Sequence, residues 1–125
     1  MDTKTQEALK IVFDYLAISD EPQKADAIFL ATGFSLSPKK VIIVDRPEHQ
    51  RRGWVTFAKQ WPGIDFINCP ADEELKYDQK MLDLCVAELE RLKRYTKKGN
   101  ILEQKFPKEI LLAWKFLKPK VETRF

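Results

Sequence analysis

The sequence predicts an α/β fold with Rossmann-like layering. In this three-layer arrangement, four helices cover a small, mainly parallel sheet of about three strands. The β-branched run at residues 41–44 has the composition of a strand that is buried on both faces. A helical pattern and then a second apolar run, residues 64–67, follow it. Because strand, helix and strand in this order form the unit of a parallel sheet, the pattern predicts that class.

The helix between these two strands is predicted from the spacing of its apolar side chains. Residues 45–47 end the first strand at a proline, and Pro62 with Gly63 ends the helix. The apolar side chains recur at i, i+3, i+4 and i+7, which predicts a face that packs on the sheet. These residues are Trp54, Phe57, Ala58 and Trp61.

The N-terminal part predicts a helix over residues 5–18 and a buried strand over residues 25–32 that enters Gly33. Only residues 33–40 separate this strand from the next, whereas a parallel neighbour needs a crossover of about a dozen residues or more. The two strands are therefore expected either to be parallel but not adjacent, or to pair as an antiparallel hairpin. The first arrangement leaves an open sheet edge.

Two further helices are predicted in the C-terminal half. Residues 73–97 carry a helical seam of Leu82, Cys85, Leu89 and Leu92. Pro107 opens a last helix, residues 107–117, as proline often does at a first helical position. Its core-facing side chains are expected to be Ile110, Leu111, Trp114 and Leu117. Residues 119–125 are predicted to form a loose tail.

The composition is that of one soluble globular domain, residues 1–125, with 44% hydrophobic and 33% charged residues. No apolar run approaches the roughly 20 residues of a membrane helix, and the N-terminus lacks a signal-peptide pattern. We therefore expect a cytoplasmic protein. Cys69 and Cys85 have no metal or redox spacing and are predicted to be buried free thiols.

The net charge of +3 is unevenly distributed: residues 80–125 hold twelve basic and six acidic side chains, whereas the rest of the chain holds ten basic and thirteen acidic ones. This region has neither aromatic residues interleaved with basic ones nor a glycine-rich basic arm. The solvated faces of two helices explain the charge better than nucleic-acid binding does.

Polar residues cluster where the strand 41–44 ends, and ligands of parallel sheets bind beyond the carboxyl ends of the strands. The candidate ligand-binding residues here are Asp45, Arg46, His49, Arg51 and Arg52. An arginine pair beside the free amides of a helix N-terminus suits a phosphate or carboxylate group. The alternative is that Arg51 and Arg52 form internal ion pairs with Glu48, Asp45 or the acidic residues 72–74.

The sequence assigns no reaction, and enzyme activity stays open. His49 is the only histidine, and Ser35 and Ser37 lack the context of a catalytic serine. One histidine and two distant cysteines provide no metal-ligand set. The dinucleotide fingerprint G-x-G-x-x-G is absent. His49 is either an exposed loop residue or a ligand contact.

Residues 39–66, KKVIIVDRPEHQRRGWVTFAKQWPGIDF, resemble the strand, Pro-x-x-x-Arg-Arg turn and following helix of the YdcF-like proteins, relatives of SanA and ElyC. The stretch ELERLKRY, followed by KKG and Ile101, resembles the penultimate helix of that family. The segments FDYL and KADAIFLATG resemble its beginning, where a small-residue turn, here Gly33, follows the first strand. SanA-type sequences often carry a histidine near the position of His49.

The resemblance implies a Rossmann-like domain whose middle is missing near residues 33–40. It implies a small anionic or nucleotide-like ligand at Gly33 and at the candidate residues Asp45, Arg46, His49, Arg51 and Arg52. The sequence leaves the cofactor unassigned, and the resemblance makes a nucleotide and S-adenosylmethionine the candidates. The alternative is an inactive shortened variant that acts as a protein-interaction module. Its open sheet edge would then favour self-association.

Overall fold

The computed structural model describes residues 1–20 and 40–125. The predicted strand 25–32, Gly33 and nearly all of the short connection 33–40 lie outside the described residues. The described residues contain four α-helices and two β-strands. In order, these are α1 (Thr3–Leu16), β1 (Lys40–Ile43), α2 (Gln50–Gln60), β2 (Asp65–Asn68), α3 (Gln79–Lys98) and α4 (Lys108–Leu117). Short 3-10 helices span Pro47–His49 and Lys118–Lys120.

The two described strands form a parallel sheet in which Lys40 pairs with Asp65 and Ile43 with Asn68. The predicted order of strand, helix and strand is therefore confirmed, with each strand shifted by one residue. The burial of the first strand differs from the prediction. Within β1 only Ile43 is buried, and Val44 just beyond it is 64% exposed. Composition alone therefore overstated how far this strand lies inside the protein.

The main hydrophobic core lies between helices α1, α3 and α4, and no residue of the two strands belongs to it. The predicted seam of α3 is confirmed, because Leu82, Cys85, Leu89 and Leu92 are all buried. From α1 the core receives Leu9, Val12 and Leu16, and α4 adds Ile110, Trp114 and Leu117. The sheet therefore lies to one side of a helical core, and a small separate cluster joins Ile42 to Ile67.

The orientation of α2 differs from the prediction. Its buried residues are Gln50 and Val55, whereas Phe57 and Trp61 are 43% and 50% exposed. The two exposed rings stack on each other with centroids 5.4 Å apart, and only Trp54 of the predicted face packs partly on the core. The apolar spacing located the helix correctly. It did not locate its buried face, because a polar side chain, Gln50, fixes the start of the helix.

The predicted C-terminal ends of α3 and α4 are correct to within one residue. Helix α3 begins six residues later than predicted, after Asp78, whose carboxylate accepts the Met81 amide at 2.8 Å. Its last residue is Lys98, one residue beyond the predicted end, and Gly99 follows with a φ of 76° that suits glycine. Pro107 is the residue just before α4. Leu111 was expected on the core but is 48% exposed, since it lies between the buried positions of that helix.

The C-terminal residues make defined contacts with α3. The backbone amides of Glu122 and Thr123 donate to the buried carboxylate of Asp83 at 3.1 and 2.9 Å. Val121 packs partly against the core. Cys85 is a buried free thiol, as predicted, and Cys69 is free but only partly buried. Across residues 1–20 and 40–125, no helix has both the length and the apolarity that a membrane crossing requires.

Candidate anion-binding site

Gln50 ties the start of α2 to the carboxyl ends of both strands. Its buried side-chain amide donates to the Ile43 carbonyl and to the Asn68 side chain, each at 3.0 Å. Its oxygen accepts the backbone amide of Asp45 at 2.9 Å. The 3-10 helix Pro47–His49 and the first turn of α2 are thereby held beyond the strand ends, where the sequence predicts a site.

Glu88 of α3 is the centre of a polar cluster next to these strand ends. Its side chain is completely buried and accepts hydrogen bonds from three basic side chains. His49 Nδ1 lies 2.7 Å from Oε1, and Arg91 Nη1 lies 3.0 Å from the same oxygen. Arg52 donates through Nε to Oε2 at 2.7 Å and through Nη2 to Oε1 at 3.0 Å. We call Glu88, His49, Arg52 and Arg91 the Glu88 cluster.

In the Glu88 cluster, the carboxylate and the basic side chains stabilise each other's charged forms. Burial alone would raise the pKa of Glu88, but the hydrogen bonds from His49 and Arg52 outweigh it and lower the pKa to about 2. The hydrogen bond to Glu88 raises the pKa of His49 above its ordinary value of 6.5, against the opposing effect of burial. Glu88 is thus a carboxylate at neutral pH, and His49 is protonated to a greater extent than a free imidazole.

A second buried carboxylate, Glu48, lies beside the cluster. Its Oε1 is 3.0 Å from Arg46 Nε and 3.9 Å from His49 Nε2. Among the described residues, neither carboxylate oxygen has a hydrogen-bond partner of good geometry. A buried carboxylate is costly without compensating charge, so the cations around it stabilise it. Together, Glu48, Glu88 and their contacting cations carry more positive than negative charge.

Arg51 points away from the Glu88 cluster. Its Nε donates to the Tyr15 carbonyl at 2.8 Å, and its Nη1 donates to the Gln104 side chain at 3.1 Å. The guanidinium also lies over the Tyr15 ring, 3.8 Å from the centroid. Arg51 therefore connects α2 to α1 and to the link before α4. Neither Arg51 nor Arg52 pairs with Glu48, Asp45 or the acidic residues 72–74. Arg52 pairs with Glu88 instead.

Asp45 lies against the first turn of α2, where the sequence predicts free amides for an anion. Its Oδ1 accepts the Arg46 amide at 2.7 Å, and its Oδ2 is 3.1 Å from the point that a Cβ on Gly53 would occupy. The absence of a side chain at Gly53 makes this close approach possible. Arg46 is 58% exposed and also lies 3.8 Å from Glu73.

The structure therefore brings Arg46, His49 and Arg52 together and separates them from Arg51. Sequence reasoning missed Glu88, Arg91, Gln50 and Asn68. One signal could have revealed Glu88, which stands on the apolar seam of α3 between Cys85 and Leu92 at helical spacing. No comparable pattern marks Gln50. Within residues 1–20 and 40–125, no group of three or more histidine, cysteine or acidic side chains could hold a metal ion.

Comparison with known proteins finds SCO4629, an uncharacterised protein of Streptomyces coelicolor, which is 26% identical to this chain over 85 residues. The match covers 62% of this chain and 38% of that protein, so this chain spans well under half the length of that relative. No family model matches the chain, and no solved structure matches it. This level of identity does not assign the chain to a family.

Proposed function

We propose that this chain is a YdcF-like domain protein that binds a small anionic, nucleotide-like ligand at the carboxyl ends of its strands. The convergence of His49, Arg52 and Arg91 on one buried carboxylate carries the proposal. The proposed fold of the domain is Rossmann-like. The candidate ligands are an adenine nucleotide and S-adenosylmethionine.

Charge and donor geometry both support an anion at this place. Arg52 and Arg91 share the single carboxylate of Glu88 and keep 32% and 23% of their side chains exposed. A guanidinium has five N–H donors, and within the described residues Arg91 uses one of them on Glu88. The remaining donors can bind phosphate or carboxylate oxygens in the bidentate geometry that arginine favours.

Thermal unfolding with added ligand tests the proposal. Inorganic phosphate, AMP, ATP and S-adenosylmethionine are titrated separately against the protein. Binding to the folded state stabilises it, by about 2.7 kcal/mol when the ligand is at 100 times its Kd. We expect the melting temperature to rise with at least one of them and the rise to shrink in Arg91→Ala.

Arg94→Ala is the matched control, because Arg94 lies on the same helix and is exposed. We expect this variant to retain the full response to ligand. The proposal fails if none of the four compounds shifts the transition, or if the two arginine variants respond equally.

A second candidate function is protein interaction, and the surface of α1 and α4 favours it. A groove of about 420 Å³ lies between these helices, with Ala8, Ile11, Leu112, Ala113 and Phe116 in its lining. Leu112 is 59% exposed. Exposed apolar side chains next to one another are typical of surfaces that bind another molecule.

Light scattering after size exclusion tests this candidate, together with the predicted self-association through an open sheet edge. Concentration-dependent assembly that disappears in Leu112→Asp would support interaction through the groove. Assembly that Leu112→Asp leaves unchanged would point to the sheet edge. If the protein is a monomer at every concentration, self-association through the groove and through the sheet edge are both contradicted.

A further inference from the structure

We propose that the Glu88 cluster hydrolyses phosphate monoesters, with His49 as the general acid and Glu88 as its positioning residue. This inference rests on the proposed anion site and adds both a ligand class and a reaction to it. Three observations support it: the orientation of the imidazole, the charge around it, and the placement of Glu48.

The imidazole of His49 is held by one nitrogen only. The 2.7 Å contact between Nδ1 and Glu88 Oε1 fixes the ring and makes Nδ1 the donor to that carboxylate. Nε2 has no hydrogen-bond partner among the described residues, and the side chain is 26% exposed. A ring that a buried carboxylate orients through one nitrogen, and whose other nitrogen has no hydrogen-bond partner in the described part of the chain, is suited to transfer a proton to a bound group.

The charge around the imidazole matches a dianion better than a monoanion. Arg52, Arg91 and His49 surround the single negative charge of Glu88, so these groups carry a surplus of two positive charges when His49 is protonated, the form in which it acts as the acid. A phosphate monoester carries about −1.5 to −2 at neutral pH, whereas a carboxylate carries one negative charge. Outside the Glu88 cluster, the charges of Arg46 and Glu48 offset each other.

The reaction needs only water as its second reactant. The water oxygen forms a bond to phosphorus while the bond from phosphorus to the ester oxygen breaks. The electron pair of the broken bond stays on the leaving oxygen, which takes the proton from His49 Nε2. The attacking water passes its own proton to a phosphate oxygen and then to solvent, and solvent protonates His49 again.

Glu48 is placed to maintain the acid rather than to activate the water. Its Oε1 is 3.9 Å from Nε2, so it lies beside the nitrogen that acts as the general acid. In an in-line displacement the water and the leaving oxygen occupy opposite sides of phosphorus, so a base this close to the acid cannot reach the water. The negative charges of Glu48 and Glu88 instead both stabilise the imidazolium.

The test measures release of inorganic phosphate from p-nitrophenyl phosphate and from glycerol 2-phosphate. It uses the wild type, His49→Asn and the control Glu90→Gln, an exposed position on α3. Asparagine keeps a donor near the position of Nδ1 but has no counterpart of Nε2. General acid catalysis contributes about 100- to 10,000-fold, so His49→Asn should lose at least about 100-fold with glycerol 2-phosphate. The loss should be smaller with p-nitrophenyl phosphate, since nitrophenolate leaves without much protonation.

Stabilisation by inorganic phosphate, measured on the same samples, separates the two proposals. His49→Asn should still melt cooperatively and still respond to phosphate, although at higher phosphate concentrations because one contacting cation is lost. This result would show that the variant folds and that Arg52 and Arg91 still bind the anion. If the wild type binds phosphate but hydrolyses neither ester, or if His49→Asn hydrolyses both at the wild-type rate, the hydrolysis proposal is overturned and anion binding stands. If the wild type does not respond to phosphate, the hydrolysis proposal is overturned, and anion binding is overturned as well if AMP, ATP and S-adenosylmethionine also leave the transition unchanged.

Discussion

Replacement of Glu88 by glutamine should destabilise the fold by about 3 kcal/mol at neutral pH. The figure follows from the fall in the pKa of this carboxyl from its ordinary value of 4.5 to about 2, at about 1.36 kcal/mol for each pKa unit. Glutamine has nearly the same shape as glutamate but cannot carry the charge that His49, Arg52 and Arg91 contact. The expected loss is therefore electrostatic rather than a loss of packing.

The loss of stability in Glu88→Gln should depend on pH. Because the folded-state pKa is lowered, the carboxylate stabilises the fold fully above pH 4.5, and this contribution is lost as the pH falls toward 2. Urea unfolding followed by tryptophan fluorescence at pH 7 and at pH 3 measures it. The difference between the wild type and Glu88→Gln should shrink by about 2 kcal/mol between these two values.

Glu90→Gln is the matched control for this experiment. It makes the same chemical change two residues away, at an exposed position of α3, and should alter the free energy of unfolding by less than about 0.5 kcal/mol. The reasoning is refuted if Glu88→Gln costs less than about 1 kcal/mol at pH 7. It is also refuted if the cost is the same at pH 3, because the stabilisation would then not come from the charge of Glu88.

Three further variants test the rest of the structure by urea unfolding. The pKa of His49 is raised in the folded protein, so protonated His49 stabilises the fold below pH 6.5. This stabilisation is lost as the pH rises through the folded-state pKa, and the stability of His49→Asn should not show that decrease. A wild-type stability that rises over this range would contradict the assignment. Gln50→Leu should cost about 3 kcal/mol, because buried groups left unpaired cost about 1–3 kcal/mol each, whereas the exposed Gln60→Leu should be nearly neutral. Similar losses of stability at the two positions would contradict the role of the Gln50 side chain in joining α2 to the strand ends. Leu89→Ala should cost about 2–5 kcal/mol and Leu112→Ala less than about 0.5, and the reverse order would place the core elsewhere.

Local patterns in the sequence predicted most of the described elements. The helical seam of α3 and the C-terminal end of this helix were predicted correctly because both depend on residues close together in the chain. The buried face of α2 was not, because Gln50 fixes that helix through contacts with residues 43, 45 and 68. Hydrophobic periodicity counts apolar side chains and does not register a buried polar one.

The candidate site was predicted only in part, because its residues come from distant parts of the chain. The position of a cluster beyond a strand end follows from the α/β pattern, and His49 and Arg52 lie there. Their shared partner, Glu88, is 39 residues along the chain from His49. A pairing at this separation depends on how α3 packs against the start of α2. Charge patterns near the arginines therefore suggested the wrong acidic partners, and Arg51 turned out to serve α1 and the link before α4.

The NMR signal of the His49 imidazole, followed while inorganic phosphate is added at constant pH, tests the central claim most directly. His49 is the only histidine, so the ring gives one assignable signal. We expect that signal to shift and saturate with phosphate, and the shift to weaken in Arg91→Ala but not in Arg94→Ala. A signal that stays in place over the whole titration in the folded protein would contradict an anion site at the Glu88 cluster.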